Sequence, residues 1–260
     1  MQSQDIQAHF TNGGLTLTLN RPTKVNALST PMMLHIADAI RQAQSDRCTH
    51  IVLRSALPRV FCAGADIQEF MLGEDALAKQ GDALLEMMHL LATVNIPILA
   101  ITRGKAAGAG LIMLASADVV MAADDMAWSC PEIEFGMYPT LVHAALARKL
   151  APARVAQLCV SGLPITAECA LRDGLVTDIL ASDDFDQAGE ARLAYYLARP
   201  NALRIARAAR LLDCDAQALR DHYDHMSHLM HENFSDPTVR DAITRYAHAL
   251  SKSSSRKHQA

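Results

Sequence analysis

Apolar and polar residues alternate along Leu15-Thr16-Leu17-Thr18-Leu19, the period of a strand with one buried face, after a turn at Gly13-Gly14. Asn20-Arg21-Pro22 ends it. Ser29-Thr30-Pro31 then opens a helix, with a hydroxyl cap and a proline in the first turn, and apolar spacing carries it through Ile36 and Ile40 to about Gln44. Short apolar runs over residues 50–54, 96–101 and 118–122 predict buried strands. Residues 75–93 predict an amphipathic helix with Leu84, Met88 and Leu91 on one side, and a further helix starts near Gly108 after a turn of small residues. Beyond residue 140 the chain turns helical. Thr166 reads as a helix cap and Gly174 as that helix's stop, residues 175–180 as a strand, and the stretch from Asp186 as helix broken at Arg199-Pro200. The polar tail over residues 251–260 is expected to fray. Strands alternating with helices, then helices alone, give an α/β class, with a core over residues 1–195 and a helical region over 196–260.

Composition narrows the function classes. The 260 residues are half apolar and one fifth charged, with a net charge of −4, so nothing calls for a nucleic-acid partner. Cys48, Cys62, Cys130, Cys159, Cys169 and Cys214 are scattered without a CxxC pair, which favours free thiols over a disulfide frame or a zinc site. The start, MQSQDIQAHF, lacks a basic end and an apolar run, so no leader is expected, and no stretch is long and apolar enough for a membrane span. A cytoplasmic location follows by default. His222, His225, His228 and His231 recur every three residues; steps of 300° around a helix keep them from converging on one metal, and no metal site is expected.

Three segments carry candidate chemistry. In Val60-Phe61-Cys62-Ala63-Gly64-Ala65-Asp66-Ile67, successive small positions let a ligand lie against backbone N–H groups; the plain alternative is a tight surface turn. Gly104-Lys105-Ala106-Ala107-Gly108-Ala109-Gly110 opens an apolar helix, whose first N–H groups are unpaired and whose dipole draws negative charge; close helix–strand packing would use the same residues. It is neither a Walker loop nor a dinucleotide fingerprint. In Cys130-Pro131-Glu132-Ile133 a carboxylate stands in an apolar stretch, as a general base or as an ordinary exposed glutamate.

Taken in order with Leu19-Asn20-Arg21-Pro22, Asn26-Ala27-Leu28, Asp118, Gly136, Pro139 and the run from Ile165-Thr166-Ala167-Glu168 to Gly174-Leu175-Val176, these segments resemble the crotonase (enoyl-CoA hydratase/isomerase) superfamily over nearly the whole chain. The resemblance implies a β-β-α spiral core, a C-terminal helical region serving trimerisation and covering CoA, and homotrimers or hexamers. It implies an acyl-CoA substrate, a setting such as fatty acid metabolism, and no cofactor beyond the substrate's own CoA. It further implies an oxyanion hole from the backbone N–H groups of Ala65 and Ala109. The family usually has glycine at the latter position, but a methyl group leaves the N–H in place. CoA would lie against Lys24, Val25 and Ala27 and against Ala63, Gly64, Asp66 and Ile67, with the ring of Tyr246 beside it.

The departures from the family matter as much. Family hydratases use two glutamates; one matches Glu132, and the other falls on Ile112. A single carboxylate in an apolar pocket suits moving one proton between carbons, so an isomerase-like role for Glu132 is expected. The alternatives are a hydratase (lyase) with altered acid–base residues, a weakly catalytic acyl-CoA-binding protein, or thioester hydrolysis or C–C cleavage directed by His143 or by an altered pocket. The glycine-rich run usual after Pro139 is missing, so Ile112, Tyr138 and His143 are candidates to shape the acyl pocket. His143 reads either as a second acid–base group or as an ordinary hydrogen-bonded helix histidine.

Overall fold

The computed structural model describes residues 5–257. The first four residues, part of the N-terminus read above as no leader, and the last three of the polar tail lie outside the described residues. Strands β1 (Ile6–Thr11) and β2 (Gly14–Leu19) form a hairpin whose turn residues Asn12 and Gly13 both have positive φ. β1 was not foreseen, because Ala8 and a part-exposed Phe10 weaken its alternation. Helix α1 (Thr30–Ser45) starts where its cap predicts, with Ser29 Oγ accepting from the Met32 N–H at 3.4 Å.

The chain then winds in a repeating path. β3 (Ile51–Ser55), β4 (Val60–Cys62) and α2 (Glu74–Thr93) make one turn, and β5 (Ile98–Thr102), β6 (Lys105–Ala107) and α3 (Ala109–Ser116) the next. A third turn lays down β7 (Val119–Ala123), β8 (Ala127–Ser129), α4 (Thr140–Leu146) and α5 (Pro152–Ser161). Then come β9 (Ile165–Thr166), α6 (Ala167–Asp173), β10 (Asp178–Leu180) and the helices α7 (Phe185–Leu197), α8 (Pro200–Leu211), α9 (Ala216–Ser235) and α10 (Pro237–Lys257). Each of the three turns adds one strand to each of two sheets, ordered β1-β2-β3-β5-β7-β10 and β4-β6-β8-β9. This is the β-β-α spiral that the resemblance implied. Residues 60–62 and 105–107, expected as loop and turn, are strands of the second sheet; three residues are too few to show a period. The strand expected over 175–180 keeps only its last three residues. The tail expected to fray from residue 251 is helical through Lys257.

From β2 onward the larger sheet is parallel, and its central strands are covered on both faces. Leu53, Ile98, Ala100 and Val120 face the main core, while Val52, Leu99, Ile101 and Met121 pack with Phe185 and Leu193 of α7. The C-terminal helices are tied to this core. Arg207 of α8, 1% exposed, donates to the carbonyls of Leu91 and Val94, each at 2.9 Å, and to Asp118 at 3.1 Å. Tyr223 and Met226 of α9 enter the main core. Val239 and Ile243 of α10 close over Met137, Phe234, Phe70 and Phe135. Among the described residues, no helix is long and apolar enough to cross a membrane.

Candidate active site

The two small-residue segments converge because each follows a strand of the second sheet: one runs on from β4, the other from β6, and these strands pair in parallel. The first is held in a strand-like bridge. Leu28 N–H donates to Gly64 O at 2.8 Å, and Asp66 N–H donates to Leu28 O at 2.8 Å. Backbone groups alternate sides along an extended segment, so the Ala65 N–H points away from Leu28, and it has no acceptor among the described residues. The second donor arises at a helix start. Ala109 opens α3 without a side-chain cap at Gly108, and the first helical bond belongs to Leu111 N–H, at 2.9 Å from Gly108 O. Among the described residues, the N–H groups of Ala109 and Gly110 find no acceptor, and the helix dipole stands behind them.

Gly108 is what lets the segments and the carboxylate meet. Its φ of +50° is a conformation that side-chain-bearing residues rarely adopt. A β-carbon there would lie 2.7 Å from Glu132 Oε1 and 3.4 Å from Gly64 Cα. Glu132 stands on a short 3-10 turn (Pro131–Phe135) directly after β8, fixed by Met137 N–H donating to its carbonyl at 3.2 Å. Its Oε2 is shut off from solvent without a hydrogen-bond partner among the described residues, and burial raises the carboxyl to about 7. Gly108, the residue before Ala109, thus lies against both Glu132 and Gly64, the residue before Ala65. Ile112, 1% exposed one helical turn along α3, contributes only hydrocarbon.

The expected CoA-facing residues divide. Val25 is half exposed at φ +46°, strained for a β-branched residue. Lys24 hydrogen-bonds to Gln68, beside the Ala65 segment. Asp66 is not free to bind a ligand: buried, it pairs with Arg21 at 2.7 Å and accepts from Gln68 N–H at 3.0 Å. Ala63 is exposed, while Ala27 and Ile67 are half-buried, Ile67 against the α9–α10 cluster. Tyr246 packs its ring 4.8 Å from Phe135, on the turn that carries Glu132, and remains 42% exposed.

Several supports were given no role by the sequence. Asn26, fully buried, accepts from Arg21 N–H at 2.7 Å and donates to Ser55 Oγ at 2.9 Å and Phe61 O at 3.0 Å, tying the segment before α1 to the Ala65 segment. Gln80 of α2 donates to Asp66 O at 3.2 Å and to Glu69 at 3.0 Å. On the other side of Glu132 lies a polar cluster. Cys130 and Cys159 of α5 are both buried there as free thiols, and the Tyr138 hydroxyl lies 2.7 Å from His143 Nδ1. Among the described residues, no three His, Cys, Asp or Glu side chains are grouped to hold a metal ion, the α9 histidines included.

A profile of the family described as enoyl-CoA hydratase/isomerase matches residues 9–253. The chain is 32% identical over 198 residues to the 2,3-dehydroadipyl-CoA hydratase of Escherichia coli (strain K12), covering 75% of this chain and 77% of that protein. It is 28% identical over 212 residues to the peroxisomal enoyl-CoA delta isomerase 3 of Mus musculus, covering 79% and 67%. In fold, the crystal structure of an enoyl-CoA hydratase from Bacillus halodurans superposes with a TM-score of 0.82 at 20% identity, over 93% of this chain and 100% of that one.

Proposed function

The chain belongs to the enoyl-CoA hydratase/isomerase family and is an enzyme of crotonase type, and we propose that within it the chain shifts a double bond along an acyl-CoA thioester, with Glu132 as the proton shuttle. On a 3-enoyl thioester the Glu132 carboxylate takes a proton from C2. The C–H electrons move onto the thioester oxygen, which the Ala65 and Ala109 N–H groups hold. The carbonyl then re-forms, the double bond settles between C2 and C3, and Glu132 returns its proton at C4. One such N–H donor contributes about 3–4 kcal/mol in a water-excluded site. CoA lies along Lys24, Val25 and Ala27, with Tyr246 on the cover, and no cofactor is needed beyond it.

The observation that carries this reading is the Glu132 carboxyl against Gly108, its Oε2 buried without a partner among the described residues, raised to about 7. Such a group takes and gives up a proton near neutrality. The hydrocarbon of Ile112 removes the second carboxylate that water addition would use. The test is solvent deuterium exchange at C2 of saturated, 2-enoyl and 3-enoyl-CoAs, followed by mass spectrometry. Exchange that disappears in Glu132→Gln is expected; exchange that survives it overturns the role given to Glu132.

A further inference from the structure

The two N–H donors differ in what stands behind them. Ala109 opens α3, and the far end of that helix is met by cations: Arg210 and Lys149 donate to Ala117 O at 3.2 Å and 2.7 Å. Cations at a helix C-terminus favour its dipole. Ala65 opens no helix. Its peptide group is bonded at the other end instead. A trans peptide is planar, so the C=O of one residue and the N–H of the next point in opposite directions and share charge. Among the described residues no peptide bond is cis. The Ala65 N–H therefore belongs to the same flat group as the Gly64 carbonyl, which accepts from Leu28 N–H at 2.8 Å. The Leu28 N–H in turn belongs with the Ala27 carbonyl, which accepts from Arg21 Nη1 at 2.8 Å. Two peptide groups thus stand in series between a guanidinium and the Ala65 N–H.

The guanidinium is built into its place. The Arg21 side chain is 16% exposed, with Nε 3.4 Å from Asp5. Nη1 carries two hydrogens, so it serves Ala27 O and, at 2.7 Å, Asp66 Oδ2 together. The Arg21 backbone is fixed as well: its N–H donates to Asn26 Oδ1 at 2.7 Å, and its carbonyl accepts from Asn26 N–H at 3.0 Å. Asp66 is held in turn, accepting from Gln68 N–H at 3.0 Å and donating its own N–H to Leu28 O at 2.8 Å. The carboxylate that orients Arg21 therefore follows Ala65 directly and closes the other side of the Leu28 bridge.

We infer that Arg21 is a positioning residue of this site, which aims and polarises the Ala65 N–H through the Ala27–Leu28 and Gly64–Ala65 peptide groups. The inference rests on the reading of Ala65 as an oxyanion donor given above. Hydrogen bonds in a chain polarise one another, and a charged donor at the head makes a stronger bond than a neutral one. Asp66 balances the charge of Arg21 as seen from a distance, so the effect reaches the thioester oxygen through the bonded peptides and not through open space. Ala109 draws on a helix for the same purpose; Ala65 draws on one side chain.

The test binds a saturated acyl-CoA, labelled with carbon-13 at the thioester carbonyl, to the full chain. Infrared difference spectra read the labelled C=O stretch, alongside C2 deuterium exchange at saturation and the Kd for the thioester. The variants are Arg21→Met, Arg21→Gln, Arg21→Lys and Asp5→Asn. Donation from the two N–H groups lowers the stretch in wild type. In Arg21→Met that lowering is expected to shrink and exchange to fall about 10–10²-fold, short of the roughly 10²–10³-fold loss of a whole donor. Arg21→Lys, which keeps a cation on the stem, should recover much of both, and Arg21→Gln should not. Asp5→Asn, which frees only Nε, should leave both as in wild type. If Arg21→Met does not fold, Arg21→Lys against Arg21→Gln decides. A stretch that stays at its wild-type position in Arg21→Met or Arg21→Gln, with only stability or Kd changed, would give Arg21 a purely structural part and overturn the inference. A loss in Asp5→Asn as large as in Arg21→Met would overturn it too. Either result leaves the reading of Ala65 intact, whereas a wild-type stretch equal to that of free acyl-CoA would overturn both.

Discussion

The carboxyl of Glu132 and the α-carbon of Gly108 are in such close approach that a β-carbon on Gly108 would meet Oε1 at 2.7 Å. One position therefore bears on both the aim of the carboxylate and the start of α3, which opens at Ala109.

Gly108→Ala should accordingly damage both. It places a methyl against Glu132 and forces a side-chain-bearing residue to φ +50°. A loss of about 1–3 kcal/mol in stability is expected from the backbone strain. C2 exchange should fall at least about tenfold, because a misplaced general base loses its reach. Thermal melts and the exchange assay would show both; an unaltered exchange rate would contradict the geometry.

Glu132 also predicts two pH dependences. As a base it needs its charged form, so C2 exchange should rise through about pH 7 and level off above it. Stability should run the other way. The folded protein holds this proton up to about 7, whereas an unfolded glutamate loses it near its ordinary value, so folding favours the protonated form. That contribution is complete below the unfolded value and is lost as pH rises through 7. Glu132→Gln should therefore match wild type in stability near pH 4 and exceed it by a few kcal/mol at pH 8. Equal denaturation midpoints at pH 8 would remove the burial argument.

Asn26→Ala should loosen the Ala65 segment from a distance. It removes buried bonds to Arg21 N–H, Ser55 Oγ and Phe61 O. An unmet buried donor or acceptor costs about 1–3 kcal/mol, so a loss of about 2–4 kcal/mol is expected, with a lower exchange rate. Denaturant titration and the exchange assay together would check it, and a stability loss without any change in exchange would show that the Ala65 segment does not depend on Asn26.

Arg207→Met should separate α8 from the rear of the spiral. The guanidinium is buried and bonded to the Leu91 and Val94 carbonyls and to Asp118, which would keep Arg210 at 2.7 Å. Breaking a buried ion pair from one side costs about 3–5 kcal/mol, and the Arg210 partner should hold the loss near the lower end. A shift of the denaturation midpoint below about 1 kcal/mol would mean that α8 is held mainly by its apolar contacts.

The sequence by itself determined the α/β class, the capped helix after Ser29, the stop at Gly174 and the break before Pro200, and it offered Ala65, Ala109 and Glu132 as the candidate set. Caps, breakers and apolar periods act within a few residues and so are readable in one dimension, and the family motifs add the site residues by position. Three-residue strands carry no period, and β4 and β6 emerged only from their pairing, β4 with β6 and β6 also with β8. The side-chain partners of Asp66 and Tyr246 likewise emerged only in three dimensions: Arg21 pairs with the Asp66 carboxylate, and Phe135 meets the Tyr246 ring. The same holds for the Tyr138–His143 bond and for the state of Glu132. A side chain's partners and its desolvation come from segments far apart in the chain, here β8, α3, α4, α5 and α9, and only their packing fixes which polar atoms are left unpaired and which protons they hold.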